Sequence, residues 1–296
     1  MELDAWHAAG RRIELLGHAI FFVDSRSDGP SGAPVLLLVH GFPTAGWDFA
    51  KLWPALVMRF RVLAPDMLGF GFSHKPNPHA YSILEQADLL EALLERLGID
   101  RFHVLAHDYG DTVAQELLAR DNACAAPRIE SVCLLNGGLF PETHRALPIQ
   151  RLLLGPLGPL VTRLTNRAAL ARSMRHIFGA ATQPSERELE SFWRLVEQGG
   201  GRLIFHRLIG YMRERRIHRE RWVNALRDTR TPLALIDGGA DPISGAHMVE
   251  RYREVVGKGY VAELPAIGHY PQVEAPEAVL EHYFRFLDSA GSPGGR

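Results

Sequence analysis

Cysteine is scarce in this chain: Cys124 and Cys133 are the only two, which excludes a disulfide-stabilised scaffold and is typical of a reducing compartment. Long apolar runs are missing too, because runs such as Val35–Val39 fall far short of the ~18 residues of a membrane span. Neither charge sign is in excess, and a net charge of −1 gives no reason to expect nucleic acid or an anionic membrane as partner. Met1–Asp4 does not open a signal peptide, so we expect a cytoplasmic protein.

What the chain does contain is a regular alternation of strand and helix patterns. Short, continuous apolar runs are typical of strands buried on both faces by helices. They predict strands at Val35–His40, Val62–Pro65, Phe102–Ala106, Val132–Asn136, Leu233–Asp237 and Val261–Leu264. Helical patterns lie between them at Phe49–Met58, Leu84–Leu97, Thr112–Arg120, His247–Val256 and Pro276–Ser289. Ile13–Leu16 and Ala19–Asp24 predict an antiparallel hairpin. The order indicates an α/β fold with a mostly parallel sheet and helices on both faces.

The alternation is interrupted once, between Asn136 and Leu233, where helical segments such as Glu186–Gln198 and Leu203–Arg215 replace the strands. Nearly a hundred residues are too many for an unstructured loop in a compact domain. We therefore predict a helical cap at 139–227, inserted into a core formed by 1–138 and 228–290. The Gly/Ser/Pro-rich tail, 291–296, is expected to be disordered.

The most informative motif is Leu105–Asp111, which follows a buried strand and precedes a helix. This is the position of a nucleophile elbow, usually written G-x-S-x-G, but here the central residue is Asp108. An aspartate in this place could simply cap the helix. The small neighbours Ala106 and Gly110 favour the sharp elbow turn, and the helix N-terminus stabilises a carboxylate. Because a carboxylate is already ionised near neutral pH, it suits direct displacement at an alkyl carbon. Asp111, in the first turn of the helix, is interpreted as a dipole-favoured residue and not as a second nucleophile.

Two further candidates follow the last two predicted strands, Asp241 in Gly238–Pro242 and His269 in Gly268–Pro271. A loop histidine is often structural, and an aspartate before proline is often a turn residue. The chain order nucleophile, acid, histidine is nevertheless that of α/β-hydrolases, which favours catalytic roles. His269 has the basicity to activate water, and Asp241 would orient it, with Asp237 as the competing acid.

His40–Pro43 follows the first long strand and predicts an oxyanion hole. Its donors would be the backbone N–H groups of Phe42 and Tyr109, which would bind one Asp108 oxygen and then stabilise the tetrahedral intermediate. A simple turn is the alternative.

On these motifs the chain resembles the epoxide hydrolase and haloalkane dehalogenase branch of the α/β-hydrolase fold, from about Val35 to Phe286. Within that branch it is similar to the mesoderm-specific transcript subgroup. The stretches that carry this similarity are His107–Asp111, Ala114–Leu118, Phe140–Arg145, Arg221–Val223 and His269–Gln272. The resemblance implies an α/β-hydrolase fold but supplies no substrate.

The resemblance also bears on the reaction. Dehalogenases of this branch carry Trp directly after the nucleophile and commonly Asn after His-Gly, where this chain has Tyr109 and Phe42. Fluoroacetate dehalogenases usually have Arg after the nucleophile, which is also absent here. Epoxide hydrolases share the His-Gly-x-Pro of His40–Pro43 and use two cap tyrosines to hydrogen-bond the oxirane oxygen. Tyr211 is the only tyrosine of the predicted cap, and it could equally be a packing aromatic. Candidates for the second donor are His144, His176 and His206.

The sequence therefore predicts a hydrolase in which Asp108 opens an epoxide carbon while Tyr211 donates to the oxygen. His269, oriented by Asp241, then activates water and releases a vicinal diol. We expect a small apolar organic substrate, no cofactor and no metal, and the sequence leaves a homodimer open. The alternatives are a haloalkane dehalogenase or esterase-like hydrolase, and a non-catalytic ligand-binding protein of the same fold. An arginine-rich segment is interpreted as a solvated helix surface, with docking of an acidic partner as the alternative; its members are Arg213, Arg215, Arg216, Arg219 and Arg221.

Overall fold

The computed structural model describes residues 1–26 and 32–290 and confirms the α/β class. An eight-stranded sheet has the order β1-β2-β4-β3-β5-β6-β7-β8. Its strands are β1 (Arg11–Leu15), β2 (His18–Asp24), β3 (Val35–Val39), β4 (Arg61–Pro65), β5 (Phe102–His107), β6 (Ile129–Leu135), β7 (Leu233–Gly238) and β8 (Tyr260–Leu264). The β1–β2 and β2–β4 pairs are antiparallel, and the other pairs are parallel. The tail predicted to be disordered, 291–296, lies outside the described residues.

The helices of the described ranges fall into two groups. Those that accompany the strands are α1 (Leu3–Ala9), α2 (Trp53–Leu56), α3 (Ile83–Arg96), α4 (Tyr109–Asn122), α12 (Ala246–Val255), α13 (Pro271–Glu274) and α14 (Pro276–Ala290). Those between β6 and β7 are α5 (Pro148–Leu154), α6 (Gly158–Leu164), α7 (Arg167–Ile177), α8 (Glu186–Glu197), α9 (Phe205–Leu208), α10 (Tyr211–Ile217) and α11 (Arg219–Asp228). We call this second group the helical insertion. The predicted cap boundaries, 139 and 227, stay a prediction.

Two helix predictions are wrong in the same way, because each joined segments that the structure separates. Phe49–Met58 divides into a 3-10 turn, Gly46–Phe49, and the short α2. Pro54 lies in the first turn of α2, where its missing N–H is tolerated, so a new helix starts there. Leu203–Arg215 divides into the end of a 3-10 segment, α9 and α10, and Gly210, with no side chain to favour helix, lies at the junction. The sequence patterns also did not predict α1.

Both faces of the sheet are buried, as the continuous apolar runs predicted. In β3, Leu37 and Val39 belong to one apolar cluster, while Leu36 and Leu38 belong to the cluster on the other face. Because the carboxyl ends of parallel strands meet at one edge, the residues that follow β3, β5, β7 and β8 are brought together there. Among the described helices, none has the length and apolar character needed to cross a bilayer.

Candidate active site

Asp108 lies at the apex of the turn between β5 and α4, with a strained backbone φ of 48°. Gly110 permits that turn, since a Cβ at this position would lie 2.2 Å from the carbonyl oxygen of Val39. The Asp108 side chain is buried, with a residue exposure of 4%. The geometry is that of a nucleophile elbow, in which a strained turn directs the side chain away from the strand.

One oxygen of Asp108 is hydrogen-bonded by the loop after β3. The backbone N–H of Phe42 donates to Oδ2 of Asp108 at 3.2 Å. This contact follows from the sheet, because Val39 of β3 pairs with Ala106 of β5 and both strands end at the same edge. Tyr109 is the first residue of α4, and the role of its N–H as a second donor stays a prediction.

His269 pairs with Asp241 and not with Asp237. Its Nδ1 lies 2.7 Å from Oδ2 of Asp241. Asp241 also accepts hydrogen bonds from the Asn136 side chain and from the Ile243 and Ser244 backbone N–H groups, so its orientation is fixed. Both oxygens of Asp237 are buried without a hydrogen-bond partner in the described part of the chain.

The second ring nitrogen of His269 points towards Asp108. Nε2 lies 3.9 Å from Oδ2 of Asp108, too far for a direct hydrogen bond. The loop that carries this histidine is attached from two sides. His107 Nε2 lies 2.7 Å from the carbonyl oxygen of His269, and the His269 N–H donates to the carbonyl oxygen of Ile177, at the end of α7, at 2.8 Å. The imidazole is therefore held near Asp108 by both the sheet and the helical insertion.

The local electrostatics favour an ionised Asp108. Burial alone would raise the pKa of the Asp108 carboxyl, but the neighbouring His269 and the Arg215 guanidinium outweigh it and hold that pKa below its usual range. Burial alone would likewise lower the pKa of His269, but the carboxylates of Asp241 and Asp108 raise it well above 6.5. The charge of Asp108 therefore helps to keep His269 protonated.

Asp111 differs from Asp108, although only two residues separate them. It is fully buried, and burial together with the Asp108 charge raises its pKa well above 3.8. One oxygen accepts a 3.4 Å hydrogen bond from the Leu135 N–H, while the other has no partner among the described residues. A raised pKa makes Asp111 a weaker nucleophile than Asp108, but it also disfavours the negative charge that stabilisation by the helix dipole requires. The interpretation of Asp111 as a dipole-favoured residue stays a prediction.

Arg215 is a site residue that the sequence analysis missed. The basic segment predicts a solvated surface, but the exposure of Arg215 is 2%, so that interpretation is wrong for this arginine. Nε donates to the Thr112 hydroxyl at 2.7 Å, and Nη2 donates to the carbonyl oxygen of Asp108 at 3.1 Å. Nη2 also lies 3.7 Å from Oδ1 of Asp108, while Nη1 has no partner in the described ranges. The available signal was the i, i+4 spacing from Tyr211, which places both on one face of α10.

Tyr211 lies beside Arg215, near the turn that carries Asp108. Its ring packs against Tyr109, with centroids 4.9 Å apart, and the Arg215 guanidinium carbon lies 4.5 Å from the Tyr211 centroid. The Tyr211 hydroxyl is buried and has no hydrogen-bond partner in the residues that the structure describes. Burial and the Asp108 charge raise the pKa of Tyr211 above its usual value, so the phenol keeps its proton at neutral pH.

Of the three histidines predicted as candidates for the second donor, His144 is the one that lies beside Arg215. A Cβ on Gly138 would lie 2.2 Å from Nη1 of Arg215 and 2.9 Å from Nδ1 of His144, which shows how closely the two side chains approach. Both His144 nitrogens are buried without partners in the described chain, and burial and Arg215 lower its pKa to about 3. His176 is exposed, and His206 packs near Gly158 of α6.

Two of the stretches that carry the subgroup resemblance are in direct contact. The buried carboxylate of Glu116, on α4, accepts hydrogen bonds from Arg221 Nε at 2.7 Å and from Trp222 Nε1 at 2.8 Å, both on α11. Gln115 Nε2 donates to the Trp222 carbonyl oxygen at 3.3 Å. These contacts fix the end of the helical insertion on the helix that follows Asp108.

Comparison with known proteins agrees with this architecture. The family model described as the alpha/beta hydrolase fold matches residues 34–276. The chain belongs to the α/β-hydrolase family. Within it, the human mesoderm-specific transcript homolog protein is 44% identical over 297 residues, covering 97% of this chain and 88% of that protein. LipZ of Mycobacterium tuberculosis (strain ATCC 25618 / H37Rv), named a hydrolase, is 39% identical over 277 residues, covering 93% and 94%. The resemblance predicted from the motifs is confirmed.

Solved structures extend the similarity of fold. Haloalkane dehalogenase DbeA from Bradyrhizobium elkani USDA94 superposes with a TM-score of 0.78 at 23% identity, covering 95% of this chain and 98% of that chain. A membrane phospholipase A superposes with a TM-score of 0.76 at 22% identity, covering 97% and 89%. At these identities the likeness concerns the fold alone. The fold and the hydrolase-named relatives together support a hydrolase.

Proposed function

We propose that this chain hydrolyses epoxides to vicinal diols through a covalent ester on Asp108. The observation that carries the proposal is the arrangement of three side chains at the elbow. Asp108 Oδ2 lies 3.9 Å from His269 Nε2, while His269 Nδ1 lies 2.7 Å from Asp241. A carboxylate nucleophile with a histidine beside it suits formation of an alkyl ester, followed by its hydrolysis.

In the first step an Asp108 oxygen attacks an epoxide carbon, and the carbon–oxygen bond of the ring breaks. The electron pair of that bond remains on oxygen, which takes a proton from Tyr211. Arg215 Nη1 is a second donor for this oxygen and replaces the second cap tyrosine that the sequence lacks. Because a guanidinium stays charged, it stabilises the developing alkoxide without giving up a proton.

In the second step His269 takes a proton from water, and the hydroxide adds to the carboxyl carbon of the ester. The Phe42 N–H, which already binds Oδ2 of Asp108, stabilises the oxyanion of the tetrahedral intermediate. Collapse of the intermediate breaks the ester bond, and the departing alkoxide takes the proton from His269 to give the diol. The second proton of the water, left on the Asp108 carboxyl, returns to the Tyr211 phenolate, which regenerates both the carboxylate and the phenol.

Esterification itself prepares His269 for the second step. In the free enzyme the charges of Asp241 and Asp108 raise the pKa of His269. An ester carries no charge, so one of the two anions that raise this pKa is lost once Asp108 has reacted. The imidazole then releases its proton more readily and becomes the base that the second step needs.

The walls of the site favour a small apolar substrate. Phe42 packs against Phe205 and Tyr211, with ring centroids 5.1 and 6.4 Å apart. Apolar and aromatic walls with few polar groups are typical of sites for small organic molecules. A cytoplasmic location and a homodimer stay predictions.

Haloalkane dehalogenation is the second candidate, because an arginine beside the nucleophile could also stabilise a departing halide. Haloalkane dehalogenase 2 of Mycobacterium bovis is 34% identical, but over 114 residues that cover 38% of each chain. We favour the epoxide because Tyr211 offers a proton, which an alkoxide requires and a halide does not.

The test is a panel of epoxides and haloalkanes, assayed for diol and halide release with the wild type and His269→Gln. His269→Gln should accumulate a covalent adduct, and for an epoxide the protein mass should rise by the full mass of one substrate. A haloalkane adduct lacks the halogen, so intact mass distinguishes the two reactions. Asp108→Asn is the matched control and should form no adduct. If His269→Gln forms no covalent adduct with any epoxide of the panel, the proposal is contradicted.

A further inference from the structure

A cluster of imidazoles and one carboxylate lies outside the active site, where the N-terminal hairpin meets α3. His18 begins β2, His79 precedes α3, and Glu85 lies in the first turn of α3. His79 Nε2 lies 2.9 Å from each Glu85 oxygen, and His18 Nε2 lies 3.8 Å from Oε1. One ligand atom from each of the three residues lies within 4.8 Å of the others.

A fourth side chain supports His18 from behind. Nδ1 of His74 lies 3.2 Å from Nδ1 of His18, so one of these nitrogens donates to the other. When His18 donates, its Nε2 carries the lone pair and faces the Glu85 side. A hydrogen bond from the nitrogen that does not bind metal is the usual way in which metal-binding histidines are oriented.

We propose that His18, His79 and Glu85 bind a divalent transition-metal ion, with Zn²⁺ as the best match and His74 as the residue that positions His18. A tetrahedral zinc ion with bonds of about 2.0–2.1 Å places its ligand atoms about 3.3 Å apart. The two separations from Oε1 of Glu85, 2.9 and 3.8 Å, lie on either side of that value. Two imidazoles with one carboxylate favour zinc over the hard cations Mg²⁺ and Ca²⁺.

The site is accessible, because the three side chains are 17–26% exposed. An ion can therefore enter, and water can complete its coordination. The site also lies next to the helical insertion: the N–H of Ile83, the first residue of α3, donates to Oε2 of Glu214 on α10 at 3.0 Å. Bound metal would fix the turn of α3 on which α10 rests. The proposal does not depend on the reaction proposed above.

The experiment is a calorimetric titration of the chelator-stripped full chain with ZnCl₂, without a polyhistidine tag. We expect one equivalent to bind. His79→Gln and Glu85→Gln each remove a ligand and should weaken binding by at least about 100-fold, while His74→Gln should weaken it by about 10-fold. His282→Gln is the matched control, because His282 contacts Tyr260 outside the cluster and should leave the affinity unchanged.

Two further readouts keep the test decisive if one variant folds poorly. Co²⁺ should give visible absorption with the wild type and with His282→Gln, but not with Glu85→Gln. Zinc should raise the Tm of the wild type more than that of His79→Gln, because it binds the folded state. Equal zinc affinity in the wild type and in both ligand variants, or equally tight binding of Mg²⁺, would overturn the proposal and leave an ion-pair cluster.

Discussion

Asp108, Asp241 and His269 come from the carboxyl edge of the sheet, whereas Tyr211 and Arg215 come from α10 in the helical insertion. His269 is hydrogen-bonded to Asp241, and Asp108 accepts a hydrogen bond from the Phe42 N–H. The side chains from α10 instead keep free donors, the hydroxyl of Tyr211 and Nη1 of Arg215, within the described chain. We infer that the sheet performs the covalent chemistry and that the insertion recognises the atom that departs from carbon.

This division can be tested by changing one region at a time. Residues of the sheet edge should control whether a covalent bond forms and breaks, for every substrate. Residues of α10 should control how fast it forms, and by an amount that depends on the leaving group.

The largest expected effect is that of Asp108→Ala. In the proposed mechanism no ester can form without the Asp108 carboxylate, so turnover should fall by at least about 10⁴-fold for every substrate. Steady-state diol or halide release measures this loss. Thermal unfolding must accompany this measurement, because alanine tolerates the positive φ of 48° less well than aspartate does. Substantial activity in a folded Asp108→Ala would assign the chemistry to another residue.

The next effect is on the pH dependence of the two steps. Asp108 stays ionised as the pH falls, because its pKa lies below the usual range. His269 gains a proton as the pH falls and can no longer act as the base. Lowering the pH from about 9 to about 6 should therefore slow ester hydrolysis more than ester formation, and the covalent adduct of the wild type should accumulate. Rapid-quench mass spectrometry measures the amount of adduct. An amount that decreases as the pH is lowered would contradict the assigned roles.

Substitutions in α10 should have intermediate effects that depend on the substrate. Tyr211→Phe removes the proton donor and should slow epoxide opening by about 10²-fold, with little effect on release of a halide. Arg215→Gln removes the charge and should slow both reactions. Single-turnover rates of adduct formation, measured in a His269→Gln background, separate the two variants. Equal losses on both substrate types for Tyr211→Phe would show that this tyrosine acts only through packing.

The sheet edge was predictable from the sequence because its signals are local. A buried strand followed by small residues and a charged one predicts the elbow of Asp108, and the structure places Asp241 and His269 after the expected strands. The sequence favours Asp241 over Asp237 as the acid, and in the structure Asp241 is the carboxylate beside His269 Nδ1. The preference came from the order of motifs and not from geometry, because only three residues separate the two aspartates and the turn after β7 decides which of them faces the imidazole.

The roles of charged residues in the helical insertion were less predictable, because buried and exposed arginines occur there in the same sequence pattern. Arg215 and Arg219 occur in one basic segment, yet Arg215 is buried on Asp108 while Arg219 forms an ion pair with Glu142 near the surface. The difference arises at His218, where α10 ends and α11 begins, so that the two arginines lie on different helices although they are only four positions apart. Hydrophobic periodicity does not predict that junction.

A smaller effect tests how the two regions are joined. Glu116→Gln removes the negative charge that binds Arg221 and Trp222, and should lower the free energy of unfolding by roughly 1.5–3 kcal/mol. Chemical denaturation measures this loss. Glu220→Gln is the control, because its ion pair with Arg219 is exposed and should contribute less than about 1 kcal/mol. Equal stability of both variants would show that the contact with α4 does not anchor the insertion.

The smallest expected effect concerns the thermal stability of the sheet edge and not its catalytic role. Burial and the neighbouring Asp241 raise the pKa of Asp237 well above 3.8, so the folded state holds a proton that the unfolded state releases. Stability from this group is complete below the unfolded pKa of about 3.9 and is lost as the pH rises towards the folded value. Asp237→Asn has no proton to lose, so its Tm should exceed that of the wild type at neutral pH by roughly 2–4 °C and match it near about pH 4. Thermal unfolding across pH measures the difference, and a constant offset at every pH would assign it to packing instead of ionisation.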